Sequence, residues 1–447
     1  MKNLSKLILS AIFLFTSITN VTAAEITKTL QSSPLDKSST IAVSVKEVET
    51  GKTVFDYNGK KLLHPASTLK VFTTFPSLDV LGEDYGFETS FYTYKDNLYI
   101  KLGADPFLTS LNLKDAAKQI KALGFRNFKN VYIEDRIIDN VEWGIGWMWD
   151  DGTNPLMQKY SAYNLDNNLT TLTVSKDAND SPIINSEFKV PCINALKSGN
   201  STNIYAIRHD WVSPEIICLK GTVAGNTAVQ VPINNLERYF ENRLFYYLNR
   251  SKIKVENQSL QKAKVPEKAI FMYRVAHSAS SVANNILKNS SNMNAEVMAK
   301  VAGGVKAEKT GTIEEQINLF YNYWKKNEVD TTGIIIADAS GVSRNNLVTT
   351  DFMTNALNKL YKTQGSAKMF GYLAQPGEGT MDNRLLNYRG SIFLKTGTLS
   401  NISGLTGYII ANNGKTYSVA ILIQNFAYPI TKIKQFENEL IGEIKKL

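Results

Sequence analysis

What most constrains this chain is a texture that it leaves and later re-enters. Near the start, "TIAVSVKEVETGKTVFDYN" alternates Ile41, Val43 and Val45 and turns at Glu49-Thr50-Gly51, which predicts a β-hairpin. In "HPASTLKVFTT", Pro65 precedes an apolar-periodic run, so a helix should begin near Ser67. From about residue 85 the pattern breaks into short strand-like runs, "TSFYTY", "NLYIKLG", "NVYIEDR" and "TTLTVS", with no long amphipathic helix before "NNLERYFENRLFYYLNRS". From 268 onward strands and helices alternate. "TIEEQINLFYNYWKK" opens on a Thr312/Glu315 capping box, and "SIFLKTGT", "LTGYIIAN" and "KTYSVAILIQ" read as successive strands. Ile433, Phe436, Leu440, Ile444 and Leu447 share one face of a final helix expected to pack on a sheet. The pattern predicts an α/β (α+β) domain built from residues 24–84 and 268–447, interrupted by a β-rich insertion, 85–267, large enough for two subdomains.

Lys2 and Lys6 precede "LILSAIFLF", and "NVTAAE" supplies small residues where a signal peptidase cuts, so residues 1–23 read as a removed signal peptide. The run is short for a span of ~20 residues, and no later segment approaches that length. An exported product without a transmembrane segment is expected. Export would permit Cys192 and Cys218 to pair, which the sequence leaves open. With only His64, His209 and His277, no HExxH and no Cys/His cluster, neither a metal site nor a cofactor is expected. The formal charge of +9, or +7 without Lys2 and Lys6, suits an anionic polymer or an ordinary solvated surface. No nucleic-acid module is present, and nucleic acid is not an expected partner.

Short motifs are ambiguous here. SxxK occurs at Ser67/Lys70, Ser186/Lys189, Ser251/Lys254 and Ser259/Lys262; SxN starts at Ser110, Ser198, Ser201, Ser290 and Ser343; KTG starts at Lys309 and Lys395. Context separates them. Ser67/Lys70 alone follows a hairpin and starts a helix, where residues three apart share a face. Ser290-Ser291-Asn292 lies between two helix-like runs; Lys395 closes a strand, whereas Lys309 precedes a helix cap. A serine hydroxyl becomes a nucleophile only beside a base. A lysine can be that base only when neutral, which asks for a ~1000-fold fall in proton affinity, about 4 kcal/mol.

In chain order, Ser67-Thr68-Leu69-Lys70, Ser290-Ser291-Asn292 and Lys395-Thr396-Gly397 follow the pattern of penicillin-binding proteins and serine β-lactamases. Together with "GWMWDD", "VAHSASS", "DASGVSRNN", "GEGTMDNRL" and "KTGTLSNISGLTGYI", they make the chain resemble the D-alanyl-D-alanine carboxypeptidase/endopeptidases of the class C low-molecular-mass penicillin-binding proteins. The 220-residue separation of Lys70 and Ser290 fits that group's long insertion. Ser291, where the family often has Asp, and Ala339, where Gly is common, are departures.

The resemblance implies a serine β-lactamase/transpeptidase-like domain that forms an acyl-enzyme on Ser67 with Lys70 as base. Ser290 would pass a proton to the leaving D-alanine, and Asn292 would orient Lys70 and the substrate amide. Lys395, Thr396, Gly397 and Thr398 would receive the substrate carboxylate, and the N–H groups of Ser67 and Thr398 would form an oxyanion hole. Asp151 and Arg344 are further candidates for binding the stem peptide, with Asp151 near the amino group of its diamino acid. Peptidoglycan stem peptides as substrates, β-lactams as covalent inhibitors and a periplasmic location follow from the same resemblance. It leaves open a homodimer and the balance between carboxypeptidase and endopeptidase action. Two alternatives stand beside it. One is a β-lactamase, esterase or D-aminopeptidase on the same fold, which "SAYN" does not support because it lacks the YxN spacing. The other is an inactive wall-binding scaffold, which would need none of the five reactive residues together.

Overall fold

The computed structural model describes residues 23–186, 190–208 and 215–447; apart from Ala23, the expected signal peptide lies outside them. No helix of the described residues is long and apolar enough to cross a membrane. The chain divides into two compact units. One gathers the chain up to Asp79 with Ala283–Ser291 and Ile317–Leu447; the other gathers Val80–Val282 with Asn292–Gln316.

The first unit is built on a five-stranded antiparallel sheet in the order Ile392–Leu399, Ile402–Ile410, Thr416–Gln424, Thr40–Glu47, Thr53–Tyr57. Its central strands are buried along nearly their whole length, because helices cover both faces. On one face the helix Ile430–Lys445 packs Ile433, Phe436, Leu440 and Ile444 against Leu394, Leu405, Val419 and Ile421. On the other lies the helix Thr350–Gln364, where Tyr408 donates to the Leu357 carbonyl (2.7 Å) and the Ser44 and Thr354 hydroxyls meet at 3.0 Å.

The helix Lys70–Leu81 contains Pro76, which has no N–H for the carbonyl of Phe72 one turn earlier. The indole of Trp324, itself fully buried, donates to that carbonyl at 3.1 Å. A helix interruption that would leave an unsatisfied acceptor in the core is thereby repaired from a distant part of the chain.

The second unit holds a five-stranded sheet in the order Leu260–Lys262, Val131–Glu134, Asn97–Leu102, Gly86–Tyr94, Ile270–Ser278. Two helices, Ser110–Ala122 and Leu236–Arg250, bury Leu113, Ile120, Phe240 and Leu244 with Leu98, Ile100 and Ile133 of that sheet. The helix Ser110–Ala122 falls where the sequence pattern suggested only short strands. Two of its buried positions are Ala116 and Ala117, so its apolar stripe is faint, although Thr109 and Asn112 form a capping box at its start.

Two three-stranded sheets share a separate core around Leu172, Val174, Leu219 and Val231. Cys192 and Cys218 lie there on adjacent parallel strands as free thiols. Cys192 stands opposite Ile217 and Cys218 opposite Ile193, so strand alternation points the two thiols to opposite faces. Mass spectrometry after alkylation without reductant should therefore show two modified cysteines per chain. Trp324→Phe should lower unfolding stability by about 1–3 kcal/mol, read by denaturant titration, because the Phe72 carbonyl loses its donor.

Candidate active site

Ser67 sits in a 3-10 turn, Ala66–Leu69, that runs directly into the helix Lys70–Leu81, rather than in the first turn of the α-helix itself. With three residues per turn, positions i and i+3 eclipse, and Lys70 Nζ comes to 2.9 Å from Ser67 Oγ. Lys70 is fully buried and also donates to the Ser340 carbonyl at 2.6 Å. Ala66, just before the nucleophile candidate, is left-handed at φ 47°, a costly conformation for a residue with a Cβ.

His64 holds that turn in place. The Ala66 N–H donates to Nδ1 at 3.0 Å, so the ring proton belongs on Nε2, which donates to the Ser343 carbonyl at 2.6 Å. Burial pushes the imidazole below its usual value of 6.5; the Ser343 carbonyl opposes this, Arg344 adds to it and Asp338 opposes it. The loop that supplies Ser340 and Ser343 is organised by Asp338, which accepts from Gly341 N, Asn346 Nδ2, Ser343 N, Val342 N and Ser340 Oγ at 2.7–3.0 Å. Ala339 contributes its carbonyl, to which Thr73 Oγ1 donates at 2.8 Å.

A second lysine–serine pair stands in the same unit. Lys395, fully buried on the edge strand Ile392–Leu399, donates to Ser290 Oγ at 2.9 Å and to the Thr396 carbonyl at 2.8 Å. Ser290 lies between the helices Ala279–Asn289 and Asn292–Ala307 in a left-handed conformation, φ 65°. Burial, and then the charge of Lys70, hold the Lys395 ammonium well below its usual value of 10.5. Gly397 is where the edge strand closes on the nucleophile turn: a Cβ there would stand 2.9 Å from Ser67 N and 3.0 Å from both Thr68 N and Ala66 Cβ. Thr396 is half-buried and Thr398 exposed. Arg344 is exposed and reaches the Ser400 carbonyl at 3.5 Å.

Asn292 and Asp151 belong to the second unit. There the Asn292 amide donates to the Leu156 carbonyl at 2.8 Å, and Asp151 lies in the short helix Trp149–Thr153 of the same loop. Lys309, the other KTG lysine, is exposed and paired with Glu315 at 2.7 Å.

The profile of the D-Ala-D-Ala carboxypeptidase 3 (S13) family matches residues 22–439. The chain belongs to that family. This makes the S13 protein a serine-type peptidase of the D-alanyl-D-alanine class. The relatives of this S13 chain include the D-alanyl-D-alanine carboxypeptidase DacB of Haemophilus influenzae, 20% identical over 99% of this chain and 98% of the relative. Another is the D-alanyl-D-alanine carboxypeptidase of Actinomadura sp. strain R39, 24% identical over 86% and 79%. Among solved structures, penicillin-binding protein 4 of H. influenzae superposes with a TM-score of 0.83 at 20% identity, covering 95% of this chain and 99% of that one. A predatory endopeptidase of Bdellovibrio bacteriovorus, bound to its immunity protein, follows at 0.54 and 14%, covering 91% and 93%. Both likenesses concern the fold.

In this S13 enzyme, sequence reasoning singled out the lysines and serines but left His64 as one of three scattered histidines. Nothing in the sequence marks it, because the left-handed Ala66 that it holds and the Ser343 carbonyl that fixes its ring appear only in the fold. Gly397→Ala should slow acylation by about 100-fold, measured by stopped-flow with a chromogenic β-lactam, because the Ser67 N–H cannot keep its place. His64 also has a pH signature. Its folded proton affinity is depressed, so its contribution to stability is complete above about pH 6.5 and is lost as pH falls below it. Melting temperature should drop more steeply from pH 6.5 to 5 in wild type than in His64→Asn.

Proposed function

We propose that this chain is an exported, periplasmic D-alanyl-D-alanine carboxypeptidase and endopeptidase that acts on peptidoglycan stem peptides and is acylated by β-lactams. The observation that carries the reading is the 2.9 Å contact between Lys70 Nζ and Ser67 Oγ. Its support is the second buried lysine, which bears on the first through charge.

The chemistry follows from that pairing. Two ammonium groups in one buried site repel each other, so the site favours a single shared positive charge. A substrate ending in a carboxylate favours that charge on Lys395, leaving Lys70 neutral. The contact with Ser67 then reverses sense: the hydroxyl donates, Lys70 takes its proton and Oγ attacks the carbonyl of the penultimate D-alanine. Backbone N–H groups at Ser67 and Thr398 stabilise the oxyanion, a contribution of about 3 kcal/mol per donor. The C–N bond breaks as the proton that Lys70 took from Ser67 passes by way of Ser290 to the D-alanine nitrogen, which leaves Lys70 neutral again. Water then gives that amine a proton while its oxygen attacks the acyl carbonyl, and the proton returns to Ser67 Oγ as the acyl group leaves. A β-lactam opens on the same serine but keeps its leaving nitrogen tethered, which slows deacylation.

Intact mass after brief exposure to benzylpenicillin should show one added drug mass on wild type and none on Ser67→Ala. An adduct that persists on the variant would refute Ser67 as nucleophile. Lys395→Ala should reduce acylation by about 100-fold or more, while Lys309→Ala should stay within about twofold of wild type. Muropeptide digests then separate release of terminal D-alanine from cleavage of cross-links.

A further inference from the structure

Two neighbouring cavities lie wholly within the second unit, between the helices Ser110–Ala122 and Leu236–Arg250, one of them also beside the strand Leu169–Lys176. One, of about 610 Å³, is lined by Lys114, Lys118, Lys121 and Arg250 together with Tyr246 and Tyr247. Lys114, Lys118 and Lys121 are spaced to form one stripe along their helix. Lys118 meets Asp115 at 3.0 Å, whereas Lys114, Lys121 and Arg250 have no acidic partner among the described residues. Leu111, 64% exposed, and Tyr247 border both cavities.

The second cavity, of about 620 Å³, has a different lining: Thr171, Thr173 and Gln230 beside Asp166, Tyr239 and Arg243. Its floor is built. Asp166 accepts from Ser110 N at 2.7 Å and from Tyr239 OH at 2.9 Å, and the buried Arg243 donates to the same Tyr239 hydroxyl at 2.7 Å. Asp166, Asn167 and Asn168 take left-handed φ values of 53°, 56° and 52° in succession, a conformation that Asp and Asn adopt more readily than other residues with a Cβ, and Asn168 closes the turn by accepting from Leu165 N at 2.9 Å.

We propose that these two cavities, which meet at Leu111 and Tyr247, form one groove that binds an anionic glycan, the peptide-bearing polymer on which the proposed wall activity works. Each cavity falls within the size range of ligand sites, roughly 300–1,000 Å³. Tyrosine faces and the exposed Leu111 suit the apolar faces of sugar rings, and hydroxyls and amides suit their hydroxyl groups. The cationic half suits the carboxylates that stem peptides carry. A nucleic acid would place a phosphate at every step and meet Asp166 in the second cavity. A membrane surface would not enter two concave troughs.

The test compares wild type with K114E/K118E/K121E and, as a milder change, Tyr246→Ala. Co-sedimentation with purified peptidoglycan sacculi and D-alanine release from those sacculi should each fall about tenfold in the triple variant and measurably in Tyr246→Ala. Kinetics on a short soluble peptide ending in D-Ala-D-Ala should be unchanged in both. Equal loss on polymer and short peptide, no loss on polymer, or retention by DNA in place of sacculi would overturn the groove. If wild type fails to hydrolyse the short peptide, the functional reading fails, whereas charge-dependent sedimentation with sacculi still reports on the groove.

Discussion

Two fully buried lysines set the terms for the first unit. Taking an ammonium out of water costs several kcal/mol unless partners replace the lost hydration. Lys395 is given a hydroxyl and a carbonyl, Ser290 Oγ and Thr396 O, and no acidic partner among the described residues. Neutral partners solvate the amine without fixing its charge. A carboxylate in either place would have locked the site into a static ion pair of the kind seen at Arg384 and Glu437.

Backbone carbonyls provide much of the remaining support, and each is brought into position by a separate device. Ser340 O reaches Lys70 because Asp338 gathers the surrounding donors into one tight loop. Ser343 O fixes the His64 ring, and the ring in turn holds Ala66. Phe72 O, freed by Pro76, receives Trp324 and ties the helix Lys70–Leu81 into the aromatic cluster of Phe320 and Phe352. The reactive residues are few, and the residues that constrain them are many.

The hairpin, the last three strands and the final helix were legible because their apolar positions repeat with unambiguous periods: Ile41, Val43 and Val45 at two, Ile433, Phe436 and Leu440 at three or four. The helix at Ser110 was not, since alanines carry half of its stripe. For the site, Ser67, Lys70, Ser290 and Lys395 could be singled out from residue type and order, and the fold brings each of these serines to 2.9 Å from one of these lysines. The close approach at Gly397 could not, because a glycine in a KTG motif looks the same whether or not a backbone lies 3 Å away. Nor could the task of His64: its partners are an adjacent amide and a carbonyl 279 positions further on, and neither leaves a mark in composition.

That separation bears on the order of synthesis. The turn carrying Ser67 is held by Ser340, Ser343 and Gly397, all of which leave the ribosome long after it does. Until the loop at Ser343 has reached the His64 ring, nothing holds Ala66 in its left-handed conformation, and until the strand Ile392–Leu399 has paired with its neighbours nothing keeps the second lysine beside its serine. Contacts of such span close slowly because a long loop must be ordered first. The S13 peptidase thus assembles its two lysine–serine pairs only with the last elements of its fold.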